Sequence, residues 1–211
     1  MFTKQENTMG TKITLSDKEL ELVCNTGWIL TKHAVMQKVY CLFGEAVPLL
    51  ENFLQENRDA LPAEVFSLPP KISKGENYKL LPYAMLDYPR HFGKDDTLAV
   101  RIFFWWGNFF SVSLQLSGQC KENTVSKLKE QFEWLGQEGY FICVGESPWE
   151  HHFEENNFIA VNKCSRKEFE SILRRPFIKI AKKIPLQEWG FVPAFIENAF
   201  TGLVSLLKNN G

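Results

Sequence analysis

The sequence lacks most of the features that announce a function. Its 24 Lys and Arg against 25 Asp and Glu leave a formal net charge of −1, so no global field draws the chain to nucleic acid or to an anionic membrane. The five cysteines, Cys24, Cys41, Cys120, Cys143 and Cys164, are widely spaced and include no C-x-x-C pair. An odd count without that spacing argues against a disulfide framework and against a zinc site. No stretch reaches the ~18–20 apolar residues that a membrane span needs. MFTKQENTMGTK, residues 1–12, has no apolar run either, and reads as a mobile tail rather than a secretory signal. A Gly-rich phosphate loop, a G-x-S-x-G elbow and H-E-x-x-H are all missing. The expectation is a soluble cytoplasmic chain with reduced thiols and no cofactor, metal, nucleic acid or membrane partner.

What the sequence has in quantity is rings. Aromatic residues make up 14% of the 211, with 18 Phe and 6 Trp, which predicts a rigid, ring-rich core. Six of them fall between Phe103 and Phe110, inside RIFFWWGNFFSVSLQLSG (101–118). The flanking runs, TLAVRIFFWW (97–106) and FFSVSLQLS (109–117), alternate as strands. Gly107–Asn108 suits a two-residue type II′ hairpin loop. That loop sets Trp106 opposite Phe109 and Trp105 opposite Phe110. One face then carries Ala99, Arg101, Phe103 and Trp105. The other sets Val100, Ile102, Phe104 and Trp106 beside Gln115, Ser113, Ser111 and Phe109. Apolar walls with a few hydroxyls are the lining that small-molecule sites use. Phe104, Trp106, Ser111 and Ser113 are therefore the candidate ligand-binding wall, although buried aromatic strands are more commonly plain core.

LDYPRHFGKDD (86–96) puts Asp87, Tyr88, Arg90 and His91 near the end of a strand around a Pro turn. Arg90 and His91 are candidates for the rim of that wall, where a cation would favour an anionic ligand. Arg101 needs a partner if buried, and Asp87 can supply it. In WEHHFEEN (149–156), His151 and His152 are adjacent, so their side chains diverge and a shared metal ion is not expected. That segment reads as a polar surface loop. Residues 163–183 hold eight Lys or Arg and two Glu, whereas 121–160 hold three Lys and eight Glu. Mutual pairing of the two stretches, or a basic patch for an acidic partner or nucleic acid, would account for the asymmetry, and the near-neutral whole disfavours nucleic acid.

Elsewhere the pattern is helical at both ends. Ser16 with Glu19 is a capping-box spacing, and a helical period over 29–43 is interrupted at Gly44 and resumes to about Asn57. Residues 58–77 read as a Pro- and Lys-rich connector. YKLLPYAMLDY (78–88) reads as a strand, edge or bulged because of Pro82. A helix over 123–136, short strands at 140–145 and 157–162, a Ser165-capped helix and a C-terminal helix after Pro193 follow. FIKIAKKI (177–184) fits helix and strand alike, with helix preferred. The sum is an α+β fold with an antiparallel or mixed sheet of about five strands and helices at both termini and between strands. It forms one domain over 13–211, with a helical part at 13–57 and a sheet part at 78–211. The expected function is binding or protein interaction, the partner being a protein or a small molecule. The alternative is an enzyme acting on a small anionic metabolite through a pocket over the 98–116 hairpin.

Overall fold

Both capping boxes form as their spacing requires. Ser16 Oγ accepts from Glu19 N while the Glu19 carboxylate accepts from Ser16 N, opening α1 (Asp17–Cys24). Ser165 and Glu168 do the same for α5 (Arg166–Leu173). We describe residues 13–208 from a computed structural model; the expected tail at 1–12 lies outside them. The chain divides into two compact units, one ending at Lys38 and the other beginning at Val39.

The division falls inside α2 (Thr26–Glu56), which runs unbroken through Gly44 and Pro48 rather than pausing at Gly44. Pro48 lacks only the hydrogen bond to the carbonyl four residues back, which is that of Gly44. The remaining helices are α3 (Gly118–Glu130), α4 (Phe132–Gln137) and α6 (Val192–Ser205).

The sheet has seven strands, all antiparallel, in the order β1-β2-β3-β4-β7-β5-β6. They are β1 (Lys71–Tyr78), β2 (Leu81–Phe92), β3 (Thr97–Trp105), β4 (Phe109–Ser117), β5 (Phe141–Cys143), β6 (Phe158–Ala160) and β7 (Phe177–Pro185). The fold class is as expected, with two strands more than expected. β1 lies in the expected connector. Its exposed, Lys- and Gly-containing sequence is that of an edge. Pro82 does not make β2 an edge, because β2 pairs with both β1 and β3, but the expected bulge is present: the β1–β2 register shifts between Gly75 and Tyr78, opposite Leu81–Tyr83, and a second shift against β3 falls between Asp87 and Arg90. The preference for helix over 177–184 is overturned. β7 pairs with β4 along its whole length, and Ile178, Ile180 and Ile184 alternate onto one face.

The hairpin differs by one residue, and the difference matters. Trp105 pairs with Phe109, so the loop is Trp106–Gly107–Asn108 rather than Gly107–Asn108 alone. Asn108 N–H closes it on the Trp105 carbonyl, and Gly107 takes φ +73°. A one-residue slip turns the pairing faces over. Ser111 faces Phe103 and Ser113 faces Arg101 across the strands. The opposite face, with Val100, Ile102, Phe104, Phe110, Val112 and Leu114, packs under helices; Phe43 of α2 meets Phe110 edge-on.

Candidate functional site

Strand register decides which side chains share the serine-bearing face. One row runs Asp87–Arg101–Ser113–Ala181, with Met85–Phe103–Ser111–Lys183 on one side of it and Arg90–Ala99–Gln115–Lys179 on the other. The six candidate ligand residues therefore do not form one wall. Ser111, Ser113 and Arg90 lie on this face, but Phe104 and His91 lie on the helical face. Trp106 sits in the turn, edge-on to Phe104 at 6.3 Å. Arg90 is committed to the Pro69 carbonyl at 2.6 Å, and His91 to Asp96 at 3.1 Å.

Residues 144–157, which contain neither helix nor strand, cover this face. The expectation of a polar surface loop is corrected: His151 and His152 are buried, with 7% and 5% exposure. Backbone groups of a buried irregular segment still need partners, and side chains from the sheet, from the turn before β7 and from the segment itself supply them. Tyr78 Oη accepts from His151 N at 2.6 Å and from His152 N at 3.1 Å, and donates to Glu150 at 3.0 Å. Lys179 Nζ reaches the Pro148 and Glu150 carbonyls at 2.9 and 2.7 Å. Arg175 donates to the Gly145 carbonyl and Asn157 to that of His152. Phe153 lies edge-on to Phe109 and Phe141 and stacks on Phe158, closing the space beside Ser111. Lys183, opposite Ser111, has its Nζ over the Phe109, Phe141 and Phe153 rings, 5.0 Å from the Phe153 centroid. Ser111 and Ser113 are 4% and 5% exposed.

At the centre is a charged cluster. Arg101, its side chain 13% exposed, makes a bidentate pair with the buried Asp87 at 2.7 and 2.9 Å, which supplies the counter-charge a largely covered guanidinium needs. Its remaining NH1 meets His151 Nε2 at 3.2 Å, and His151 Nδ1 meets Lys179 Nζ at 3.0 Å. The imidazole lies against the Phe103 ring at 4.7 Å. Burial pushes the Lys179 ammonium down to about 7. Burial, with the neighbouring cations Lys179 and Arg101, holds His151 well below the ordinary histidine range. Burial also raises Tyr78 to about 12, keeping it a protonated donor to Glu150.

A second polar corner lies on the other side of the sheet. Asp96 accepts from the Cys120 thiol at 3.5 Å as well as pairing with His91. Ligand atoms of Glu64, Asp96 and Cys120 lie within 4.8 Å of one another, close enough to share a metal ion. A cavity of about 430 Å³ opens beside Glu64 and Cys120. Burial, and then Asp96, raise the thiol to about 12, so Cys120 is a hydrogen-bond donor here and not a thiolate.

The third feature is an arm. Every residue from 13 to 31 is exposed, although α1 and the first turn of α2 are helical. The exposed side chains include Leu20 at 53%, Val23 at 68%, Trp28 at 52% and Leu30 at 63%. Leu22, Val23, Trp28 and Ile29 line a shallow apolar hollow. Asn25 Oδ1 caps the turn between the helices by accepting from Trp28 N.

Sequence reasoning did not find Lys179, Tyr78 or the burial of His151. Lysine within FIKIAKKI carries no mark of burial unless that segment is known to be a strand. The charge asymmetry was a usable signal: Arg166–Glu133, Lys182–Glu138 and Lys179 on the 148–150 carbonyls join the basic stretch to the acidic one. No helix among the described residues is long and apolar enough to cross a membrane. Compared with models of protein families, with curated proteins and with solved structures, the chain matches none.

Proposed function

We propose that the chain is a cytoplasmic binding domain that works by protein–protein association, with the arm at 13–31 as its contact surface and a second copy of the chain as partner. The observation that carries this reading is a helical segment, rich in Leu, Val and Trp, that buries nothing. An eight-residue helix is marginal in water unless an apolar face is packed. Contiguous exposed apolar surface marks interaction sites.

The charge pattern favours a second copy. α1 carries Asp17, Glu19 and Glu21 against Lys18, whereas the 31–38 stretch of α2 carries Lys32, His33 and Lys38. A two-fold axis would lay the acidic helix of each chain on the basic helix of the other. The cysteines are unbridged, with Cys24 exposed, which fits a reducing compartment. The closed packing over Ser111 and Ser113 supports association over an enzyme acting on a small anionic metabolite at that face.

Size-exclusion chromatography with light scattering tests the proposal. Leu20→Glu and Trp28→Glu should convert a dimer to a monomer of unchanged melting temperature for the Val39-onward unit. Dimers that survive both substitutions would overturn the assignment to the arm.

A further inference from the structure

The hydrogen-bond chain under the 144–157 segment accepts only one distribution of protons. Arg101 is a donor at every nitrogen, so its NH1 requires a lone pair on His151 Nε2, 3.2 Å away. A neutral imidazole then carries its hydrogen on Nδ1. That hydrogen points at Lys179 Nζ, 3.0 Å away, which must accept it. An ammonium has three hydrogens and no lone pair, whereas a neutral amine has two hydrogens and one lone pair. Lys179 Nζ has three partners: the Pro148 carbonyl, the Glu150 carbonyl and His151 Nδ1. Two acceptors and one donor match the neutral amine atom for atom.

We propose that Lys179 and His151 form a proton-operated latch that holds the 144–157 segment over the sheet. With Lys179 neutral and His151 protonated on Nδ1, every contact pairs a donor with an acceptor. A proton on Lys179 makes Nζ donor-only, so Nδ1 must accept and Nε2–H is turned against Arg101. A proton added to His151 instead creates the same donor-to-donor clash at Arg101. Either one drives the imidazole off Arg101 and loosens the segment that carries it.

The surrounding charges do not relieve the clash. Asp87 on β2 is committed to Arg101 on β3 through both oxygens. The Glu150 carboxylate is taken by Tyr78 of β1 and lies 3.5 Å from His152. Cys143 of β5 keeps its proton, raised by burial, and donates to Asn157. Lys183, farther along β7, adds a cation, and Glu154 faces His152 from the segment's outer side. Among the described residues, the groups within hydrogen-bond reach of Lys179 Nζ are two carbonyls and the imidazole.

Long-range ¹⁵N–¹H correlation spectra of the imidazoles, on the full-length wild-type chain, read the tautomer directly. His151 should carry its proton on Nδ1 at about pH 8, and the Lys179 Cε resonance should titrate near neutrality. Hydrogen exchange of the His151 and His152 amides, corrected for the chemical rate, should quicken about tenfold between about pH 8 and pH 6. Lys179→Met should abolish that pH dependence. An Nε2–H tautomer, a Lys179 midpoint in the ordinary lysine range, or exchange unaltered across the interval would each overturn the latch. The wild-type spectra decide the question even if Lys179→Met fails to fold.

Discussion

Raising the pH from about 7 to about 9 should stabilise this protein, and Lys179 should be the reason. In the unfolded chain a lysine holds its proton up to its ordinary 10.5, whereas in the folded chain burial brings Lys179 down to about 7. Between those values the unfolded state binds the extra proton, so stability rises with pH. The full interval corresponds to about 5 kcal/mol at 1.36 kcal/mol per pH unit. Because the folded amine is already half deprotonated at the lower end, about 2 kcal/mol of this is gained between pH 7 and 9. Lys183, also lowered from 10.5 by burial, adds a rise of the same sign that Lys179→Met leaves in place. His151, depressed by burial, adds stability that is lost only as pH falls below the ordinary histidine value of 6.5. Cys120 and Cys143, raised by burial, remove stability only as pH climbs past the ordinary thiol value of 9.0. Urea denaturation followed by tryptophan fluorescence, at closely spaced pH values and with an unchanged m-value, measures the slope. Lys179→Met should remove most of it. A flat or falling wild-type curve, or an equal rise in Lys179→Met, would refute the reasoning.

Three further outcomes follow from particular residues. Asp87→Ala leaves the largely covered Arg101 without its counter-charge and should cost about 2–4 kcal/mol in chemical denaturation, most of it recovered when Arg101→Met is added; a cost under about 1 kcal/mol would mean that the pair behaves as a surface one. A Cβ at Gly107 would meet no atom within 4 Å, yet its φ is +73°, so Gly107→Val should cost about 1–2 kcal/mol through the backbone alone and lower the melting temperature more than Gly107→Asn. Thiol titration of denatured, unreduced protein should count all five cysteines, and a count of three or one would contradict a reducing compartment.

Features set by local chemistry were legible in the sequence. Both capping boxes depend on two residues three apart, and the hairpin depends on alternation either side of a glycine. The hairpin's register was not legible, because Trp106 joins the loop only when β2 is present: its N–H is taken by the Pro82 carbonyl. That single residue decided whether Ser111 and Ser113 lay beside Phe104 or beside Phe103 and Arg101. FIKIAKKI is ambiguous alone; its partner β4 is about 70 residues away in sequence, and pairing rather than propensity makes it a strand. The Arg101–Asp87 pair was readable from the cost of burying a lone cation. Lys179 and His151 were not, because 28 residues separate them and only the folded cover segment brings them together.

The proposed association rests on the arm, and sedimentation equilibrium of the wild-type chain tests it most directly. From about 1 to about 100 μM the weight-average mass should climb from that of one chain towards that of two, as mass action requires. It should also do so less at high salt, because opposite charges on α1 and α2 contribute to the contact. A single-chain mass at the highest concentration would contradict it.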